Sequence, residues 1–256
     1  MHLGAKNLSI KIAVAGKGGC GKTSVAALVI RYLKKTGKVP ILAVDADPNA
    51  NLGESLGLKV GQTIGTILDG FQHDKISIPL GMTKEAYLEY KLNETVVESP
   101  GLDLITMGRG QGPECYCYPN LILKKFIDGL SDSYAYVVMD NEAGMEHLSR
   151  KTTEDVDALL LVSNDTVKGV RAIARIIELT DELKLHIKKK IVVINLVTDK
   201  IDPLVTAELK RLGLKADVII PEDKNLYRYD LEQKPLIDLP DSSHAVQAVA
   251  RMMANL

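Results

Sequence analysis

The residues best suited to chemistry lie in one glycine-rich stretch near the start of the chain. The stretch reads Gly16, Lys17, Gly18, Gly19, Cys20, Gly21, Lys22, Thr23 and then Ser24. Its spacing satisfies the phosphate-loop pattern G-x-x-x-x-G-K-[ST]. Glycines let successive backbone N–H groups turn toward a phosphate without obstruction by a Cβ atom. We therefore predict that this stretch binds a nucleotide, with Lys22 on the β- and γ-phosphates and the Thr23 hydroxyl on Mg²⁺.

Carboxylates at the ends of two apolar runs could serve the same nucleotide. Asp45 and Asp47 follow the run Ile41 to Val44, and Asp140 follows the run Ala135 to Met139. In an open parallel sheet, ligands bind at the carboxyl ends of the strands. An aspartate that ends an apolar strand after a phosphate loop is typical of a residue that orders Mg²⁺. Turn and helix-cap chemistry is the alternative role for these side chains.

Four positions further along the chain extend the predicted nucleotide site. Gly144 would allow a backbone N–H group to approach the γ-phosphate, so the turn around it could sense whether that phosphate is present. Asn195 ends another apolar run, where its amide could pair with the edge of an adenine. Pro221 and Glu222 lie at the tip of the next predicted strand. We include all four in the set that binds the nucleotide.

Two cysteines separated by one tyrosine indicate a second kind of site. Cys115 and Cys117 lie in the segment Gly108 to Pro119, whose glycine and proline residues break any helix. Side chains two apart in an extended chain point to the same side, and two thiolates supply half of a tetrahedral metal site. A second copy of the chain across a dimer axis would complete a site for Ni²⁺, Zn²⁺ or Cu(I). Two buried structural cysteines are the alternative.

The elements that must position these residues alternate between strand and helix patterns. The first pair is the run Ile10 to Ala15 and the helix pattern Thr23 to Thr36, and similar pairs recur to the end of the chain. Such alternation predicts parallel strands joined by right-handed crossovers. We therefore predict an α/β fold in which helices flank a mostly parallel sheet, as in P-loop NTPases.

The length of the chain favours a single domain. We interpret residues 1–256 as one phosphate-loop α/β domain with a lid or insertion around residues 60–100. That region is less regular, with helical patterns over Thr63 to Phe71 and Thr83 to Val97. The helical spacing there predicts packing roles for Tyr87, Leu88, Tyr90 and Leu92.

Composition and charge disfavour several classes of function. The net charge is −1 and the pI is near 6.5, so no basic field favours nucleic acid or an anionic membrane as a partner. No apolar run reaches the roughly 20 residues of a membrane span, and the first residues lack a signal-peptide pattern. We therefore expect a cytoplasmic protein. The chain has 3 cysteines, too few for a disulfide framework at this size.

The phosphate loop resembles a particular family pattern through its first lysine. Lys17, in Gly-Lys-Gly-Gly-x-Gly-Lys-Thr, resembles the signature lysine of the deviant Walker A motif. That motif is typical of the MinD, ParA and nitrogenase iron-protein class of dimeric ATPases. The resemblance implies an ATP/ADP-binding, Mg²⁺-dependent hydrolase that forms a homodimer, with Lys17 acting on the nucleotide of the partner subunit. It also implies that Asp47 positions the attacking water, with Asp45 and Asp140 near Mg²⁺.

A narrower resemblance rests on two other blocks. Cys115 to Pro119 and Met139 to Arg150 are similar to the CooC and AcsF group, which are nickel-insertion ATPases for carbon monoxide dehydrogenase and acetyl-CoA synthase. The resemblance implies a Ni²⁺ or Zn²⁺ site at Cys115 and Cys117 between two protomers, and one of those two enzymes as the client. Cys20 is a departure, because members of this group commonly have a small apolar residue there.

Rival functions share the loop and the fold. A MinD- or ParA-type positioning or partitioning ATPase would bind a membrane or DNA, which the neutral charge and the C-terminal helix pattern disfavour. An electron-transferring iron protein would place its cluster cysteines far apart in sequence, unlike this pair. A metal-storage protein would not hydrolyse ATP. The sequence leaves open which enzyme is the client, which metal is bound, and whether the dimer persists without nucleotide.

Overall fold

The centre of the fold is a parallel sheet of seven strands. The computed structural model describes residues 9–72, 78–109, 125–141 and 155–256. The strands are β1 (Ile10–Gly16), β2 (Ile41–Asp45), β3 (Leu102–Thr106), β4 (Tyr136–Asp140), β5 (Asp155–Asn164), β6 (His186–Val197) and β7 (Val218–Pro221). Their order across the sheet is β3-β2-β4-β1-β5-β6-β7, and every neighbouring pair is parallel. β1 therefore lies in the middle of the sheet.

Helices cover both faces of this sheet. They are α1 (Lys22–Lys35), α2 (Leu52–Ser55), α3 (Ile64–Gln72), α4 (Lys84–Asn93), α5 (125–131), α6 (Val167–Glu182), α7 (Pro203–Arg211), α8 (Lys224–Leu231) and α9 (His244–Ala254). One core cluster joins the sheet to α1 and α9, and the other joins it to α3, α4, α6 and α7. The predicted α/β fold, a mostly parallel sheet flanked by helices, is confirmed.

The strands form because their residues are apolar on both faces. All five residues of β2 are buried, and the last five residues of β1 are buried as well. Continuous apolar runs of this kind are typical of parallel strands covered by helices on both sides. The buried polar residues of the sheet lie at or near the carboxyl ends of the strands: Asp45, Thr106, Asp140, Ser163 and Asn195.

One predicted helix is shorter than its sequence pattern suggested. The pattern extended from Thr83 to Val97, but α4 ends at Asn93, and Val97 instead forms an antiparallel bridge with Leu104 of β3. Thr83 caps the helix, since its hydroxyl accepts a hydrogen bond from the N–H of Ala86. The predicted packing holds for three of the four side chains: Leu88 and Leu92 are buried and the half-buried Tyr87 packs against the same core cluster, whereas Tyr90 is 52% exposed.

The carboxyl ends of the strands define the side of the sheet where ligands are expected. β1 ends there in the phosphate loop, β2 and β4 end in Asp45 and Asp140, and β6 carries Asn195 near its end. Within the part of the chain that the structure describes, no helix is long and apolar enough to span a membrane.

Candidate nucleotide-binding site

The phosphate loop connects β1 directly to α1, as its sequence motif requires. β1 ends at Gly16 and α1 begins at Lys22, one residue earlier than the sequence pattern suggested. A Cβ atom on Gly16 would clash with the backbone carbonyl of Val162 on β5. Gly19 and Gly21 have φ angles of 76° and 86°, which side chains rarely allow. These three glycines are therefore required by the backbone itself.

The N-terminus of α1 is available to an anion. Gly21 is the N-cap residue, so no side chain caps the helix, and the first turn contains no acidic residue. The first N–H groups of a helix lack partners within the helix, and the helix dipole places positive charge at this end. Lys22 is only 6% exposed and adds a full positive charge at the same point. This combination is a binding site for phosphate groups.

Polar residues stand in one row across three neighbouring strands. Asp45 on β2 is in register with Asp140 on β4 and with Thr106 on β3. Residues in register on parallel strands share a face of the sheet. Asp140 is also in register with Val14 of β1, and Val14 packs in the core cluster that contains α1. The three polar residues therefore lie on the face that α1 covers. All three polar side chains are at most 1% exposed. The predicted proximity of Asp45 and Asp140 follows from this register.

Asp140 is buried without the hydrogen bonds that such a group normally has. Among the described residues, neither of its carboxylate oxygens has a hydrogen-bond partner of good geometry. Burial raises the pKa of Asp140 to about 7, while the nearby Thr23 hydroxyl and Lys22 ammonium oppose that shift. A divalent cation would supply the missing interactions, and carboxylate and hydroxyl oxygens are the ligands that Mg²⁺ prefers. The residues present therefore fit Mg²⁺, with Asp140 and Thr23 as the groups that would hold it.

Asp45 is equally buried, but both of its carboxylate oxygens accept hydrogen bonds from backbone N–H groups. Oδ1 accepts a hydrogen bond from the N–H of Asp47 at 3.2 Å, and Oδ2 accepts one from the N–H of Leu52 at 2.9 Å. Burial raises the pKa of Asp45 to about 6, although these two N–H donors lower it. Asp45 thus organises the turn that follows β2. Its predicted place near Mg²⁺ stays a prediction.

Asp47 lies on the surface of that turn and keeps one oxygen free for a ligand. Its Oδ1 accepts hydrogen bonds from the backbone N–H and the side-chain Nδ2 of Asn49, at 2.9 and 3.0 Å. Its Oδ2 accepts no hydrogen bond from a described residue. The turn continues through Ala50, whose φ is 56°. Asp47 is half-buried, so water can reach it.

Asn195 contacts the phosphate loop itself, which the sequence did not indicate. Its Nδ2 donates a hydrogen bond to the backbone carbonyl of Cys20 at 2.9 Å. Cys20 in turn is 1% exposed, and its Sγ donates to the backbone carbonyl of Val162 at 3.2 Å. No local motif reveals such contacts, because they depend on which strands lie beside β1. Thr106, whose buried hydroxyl has no partner among the described residues, was also missed.

The remaining predicted residues lie at the edges of the site or outside the described residues. Lys17 is exposed, as a residue that reaches another subunit must be. Pro221 ends β7, and the exposed Glu222 donates its backbone N–H to the carbonyl of Val197. Gly144, Cys115 and Cys117 lie outside the described residues. Within the described ranges, no three His, Cys, Asp or Glu side chains form a group that could hold a metal by themselves.

Comparisons with known proteins show the family to which the chain belongs. Residues 11–236 match the CobQ/CobB/MinD/ParA nucleotide binding domain, and the chain therefore belongs to that family of nucleotide-binding proteins. An ATP-binding protein of Methanocaldococcus jannaschii is 42% identical over 241 residues, which cover 93% of this chain and 94% of that protein. The carbon monoxide dehydrogenase accessory protein CooC of Rhodospirillum rubrum is 28% identical over 201 residues, covering 71% of this chain and 74% of that protein.

A solved structure shares the architecture. A ParA family ATPase from Chlorobium tepidum superposes with a TM-score of 0.74 at 20% identity, and the match covers 97% of this chain and 98% of that one. At this level of identity the likeness concerns the fold.

Proposed function

We propose that this protein is a Mg²⁺-dependent ATPase that works as a homodimer and assists nickel insertion into carbon monoxide dehydrogenase or acetyl-CoA synthase. The ATPase part rests on Asp140, whose two buried oxygens have no hydrogen-bond partner of good geometry among the described residues although the phosphate loop lies beside them. Family membership supports a nucleotide as the ligand. The similarity to CooC and the Cys115/Cys117 pair support the nickel part.

Different residues of the site would bind the phosphates, the Mg²⁺ ion and the attacking water during ATP hydrolysis. The backbone N–H groups from Gly16 to Gly21 and the ammonium of Lys22 would bind the phosphates. Asp140 and Thr23 would hold Mg²⁺, which when bound stabilises negative charge on the phosphate oxygens. Asp47 would accept a hydrogen bond from the attacking water through Oδ2, because Asn49 already occupies Oδ1.

Lys17 would act on the nucleotide of the partner subunit. Its exposure leaves it free to neutralise γ-phosphate charge across an interface, as an arginine finger does. The test is phosphate release at saturating ATP from Lys17→Ala, with Lys34→Ala, an exposed lysine at the far end of α1, as the matched control. We expect kcat to fall by about 1000-fold in the first variant and to stay unchanged in the control. An undiminished rate in Lys17→Ala would exclude the action across the dimer.

The nickel part can be tested by anaerobic metal titration with and without ATP. We expect about one Ni²⁺ or Zn²⁺ for every two chains in the ATP-bound protein, and none at this site in a Cys115→Ala, Cys117→Ala double variant. His186→Ala is the matched control, because it removes an exposed metal-binding side chain at the start of β6, away from the phosphate loop. Unchanged metal stoichiometry in the double variant would contradict the proposal.

The same protein samples can decide against the partitioning or positioning alternative. Liposome and DNA sedimentation with ATP should leave the protein in the supernatant if the proposal is correct. ATP-dependent binding to either, together with unchanged metal binding in the cysteine variant, would instead identify a MinD- or ParA-type function.

A further inference from the structure

The phosphate loop is hydrogen-bonded to two strands on one side of β1, the adjacent β5 and the next strand, β6. The side-chain Nδ2 of Asn195, on β6, donates to the Cys20 carbonyl at 2.9 Å, and Asn195 is only 5% exposed. The Sγ of Cys20 donates to the Val162 carbonyl, on β5, at 3.2 Å. The position of Cys20 therefore depends on residues more than 140 positions away in sequence.

The chemistry of these groups fixes their orientation. A backbone carbonyl only accepts hydrogen bonds, so the amide of Asn195 must present its Nδ2 to Cys20. Burial raises the pKa of the Cys20 thiol, so the thiol keeps the proton that it donates to Val162. Gly21 completes the fit, because a Cβ atom at that position would clash with Nδ2 of Asn195.

The backbone of β6 is distorted where it presents Asn195. The pairing with β7 shifts register between Ile194 and Val197, and Leu196 has a φ of 59° with its side chain 42% exposed. A left-handed conformation is strained for leucine. Bulges of this kind often redirect a side chain beside a functional site. The distortion directly follows Asn195, the residue that reaches the loop.

We propose that Asn195 is a positioning residue for phosphate binding, which holds the phosphate loop in its binding shape through the Cys20 carbonyl, with the Cys20 thiol as a second attachment. The inference rests on the proposed nucleotide-binding function and adds to the predicted pairing of Asn195 with adenine. A loop fixed before the ligand arrives loses less conformational freedom on binding, so affinity for the phosphates rises. The effect does not require a base on the ligand.

A ligand without a base separates the two roles of Asn195. The affinities of tripolyphosphate and of ATP, each with Mg²⁺, can be measured by their competition with a fluorescent ATP analogue for binding to wild-type protein and to Asn195→Ala. If Asn195 positions the loop, Asn195→Ala lowers the affinity for tripolyphosphate and the affinity for ATP by a similar factor, about tenfold for the loss of one buried hydrogen bond. Asn195→Asp, which has nearly the same size but cannot donate when ionised, should lose at least as much. Thermal unfolding of each variant verifies that it is folded.

Matched controls show whether the effect belongs to this contact. Asn164 is in register with Asn195 on the neighbouring strand, and its side-chain oxygen accepts from the Thr166 hydroxyl rather than from the loop. Asn164→Ala should therefore keep its affinity for tripolyphosphate within about twofold. At the second attachment, Cys20→Val removes the donor to Val162, and Cys20→Ser, whose hydroxyl can donate instead, should lose less affinity than Cys20→Val.

The possible outcomes are distinct. A loss confined to ATP in Asn195→Ala would mean that Asn195 serves the base only, and the inference would be wrong. Equal affinities in wild type and Asn195→Ala, or a wild-type protein that binds ATP but not tripolyphosphate, would contradict it as well. A wild-type protein that binds neither ligand would refute the proposed nucleotide site itself.

Discussion

Asp45 and Asp140 are paired in register on adjacent strands and are equally buried, yet they differ in what surrounds their oxygens. Asp45 accepts hydrogen bonds from two backbone N–H groups, whereas Asp140 has no hydrogen-bond partner of good geometry among the described residues. A buried carboxylate whose oxygens accept hydrogen bonds from backbone N–H groups organises the local backbone, and one without such partners remains available to a cation. Position at a strand end therefore does not by itself define a metal ligand.

The largest effect that this comparison predicts is on catalysis. Asp140→Asn keeps the size of the side chain but removes the negative charge that would hold Mg²⁺. We expect ATP turnover to fall on the order of 100-fold, while the free energy of unfolding near pH 7 rises rather than falls, because the raised pKa of Asp140 means that its buried charge destabilises the folded protein. Steady-state phosphate release and urea denaturation measure the two quantities. A stable variant with normal turnover would break the comparison.

The opposite pattern is expected at Asp45. In Asp45→Asn one carboxylate oxygen becomes an NH₂ group that faces a backbone N–H donor, at Asp47 or at Leu52. The mismatch should lower the free energy of unfolding by about 1–3 kcal/mol. Urea denaturation of this variant beside Asp140→Asn is the direct comparison. Equal stability losses in the two variants would mean that the hydrogen bonds do not distinguish the two residues.

The dependence of stability on pH should distinguish them further. Both carboxyls have pKa values raised from 3.8, to about 6 for Asp45 and about 7 for Asp140. The folded protein then binds more protons than the unfolded chain between about pH 4 and pH 7, so the stability of the protein without nucleotide or metal falls as pH rises through that window. Asp140→Asn should remove most of the fall between pH 6 and 7. Urea midpoints at several pH values measure the slope, and an unchanged slope in that variant would show that Asp140 is not the group involved.

The smallest effect on turnover and stability is expected for Asn49, on the surface of the turn that follows Asp45. Asn49→Ala removes the side-chain hydrogen bond to Asp47 Oδ1 but leaves the two bonds to Asp45 intact. We expect about a twofold change in turnover and less than about 0.5 kcal/mol in stability, as for most surface substitutions. A stability loss as large as that of Asp45→Asn would show that Asn49, rather than Asp45, organises the turn.

The sequence predicted the elements of the site better than their contacts. The glycine spacing and the flanking patterns were enough to place the phosphate loop between β1 and α1, and the apolar runs placed Asp45 and Asp140 at strand ends. Local patterns determine such features, because helix and strand periodicities are local. They do not determine which N–H groups turn back toward a carboxylate, so the difference between Asp45 and Asp140 was not predictable.

Long-range order explains the other misses. The contact between Asn195 and Cys20 joins residues 175 positions apart and exists because β5 and β6 extend the sheet on one side of β1. The prediction that α4 extends to Val97 was wrong for a similar reason, because the antiparallel pairing of Val97 with Leu104 competes with helix formation there. In both cases the tertiary partner, rather than the local sequence, determined the outcome.

The central position of β1 also has a consequence for how the protein is made. The strands on one side of β1 come from residues before 141, and those on the other side come from residues after 154. During synthesis, which proceeds from the N-terminus, the first half of the sheet can assemble while Val162 and Asn195 have not yet been translated. The phosphate loop of the nascent chain would therefore lack its attachment to Val162 until β5 leaves the ribosome and its attachment to Asn195 until β6 follows. Tight nucleotide binding would begin only at that late stage of translation.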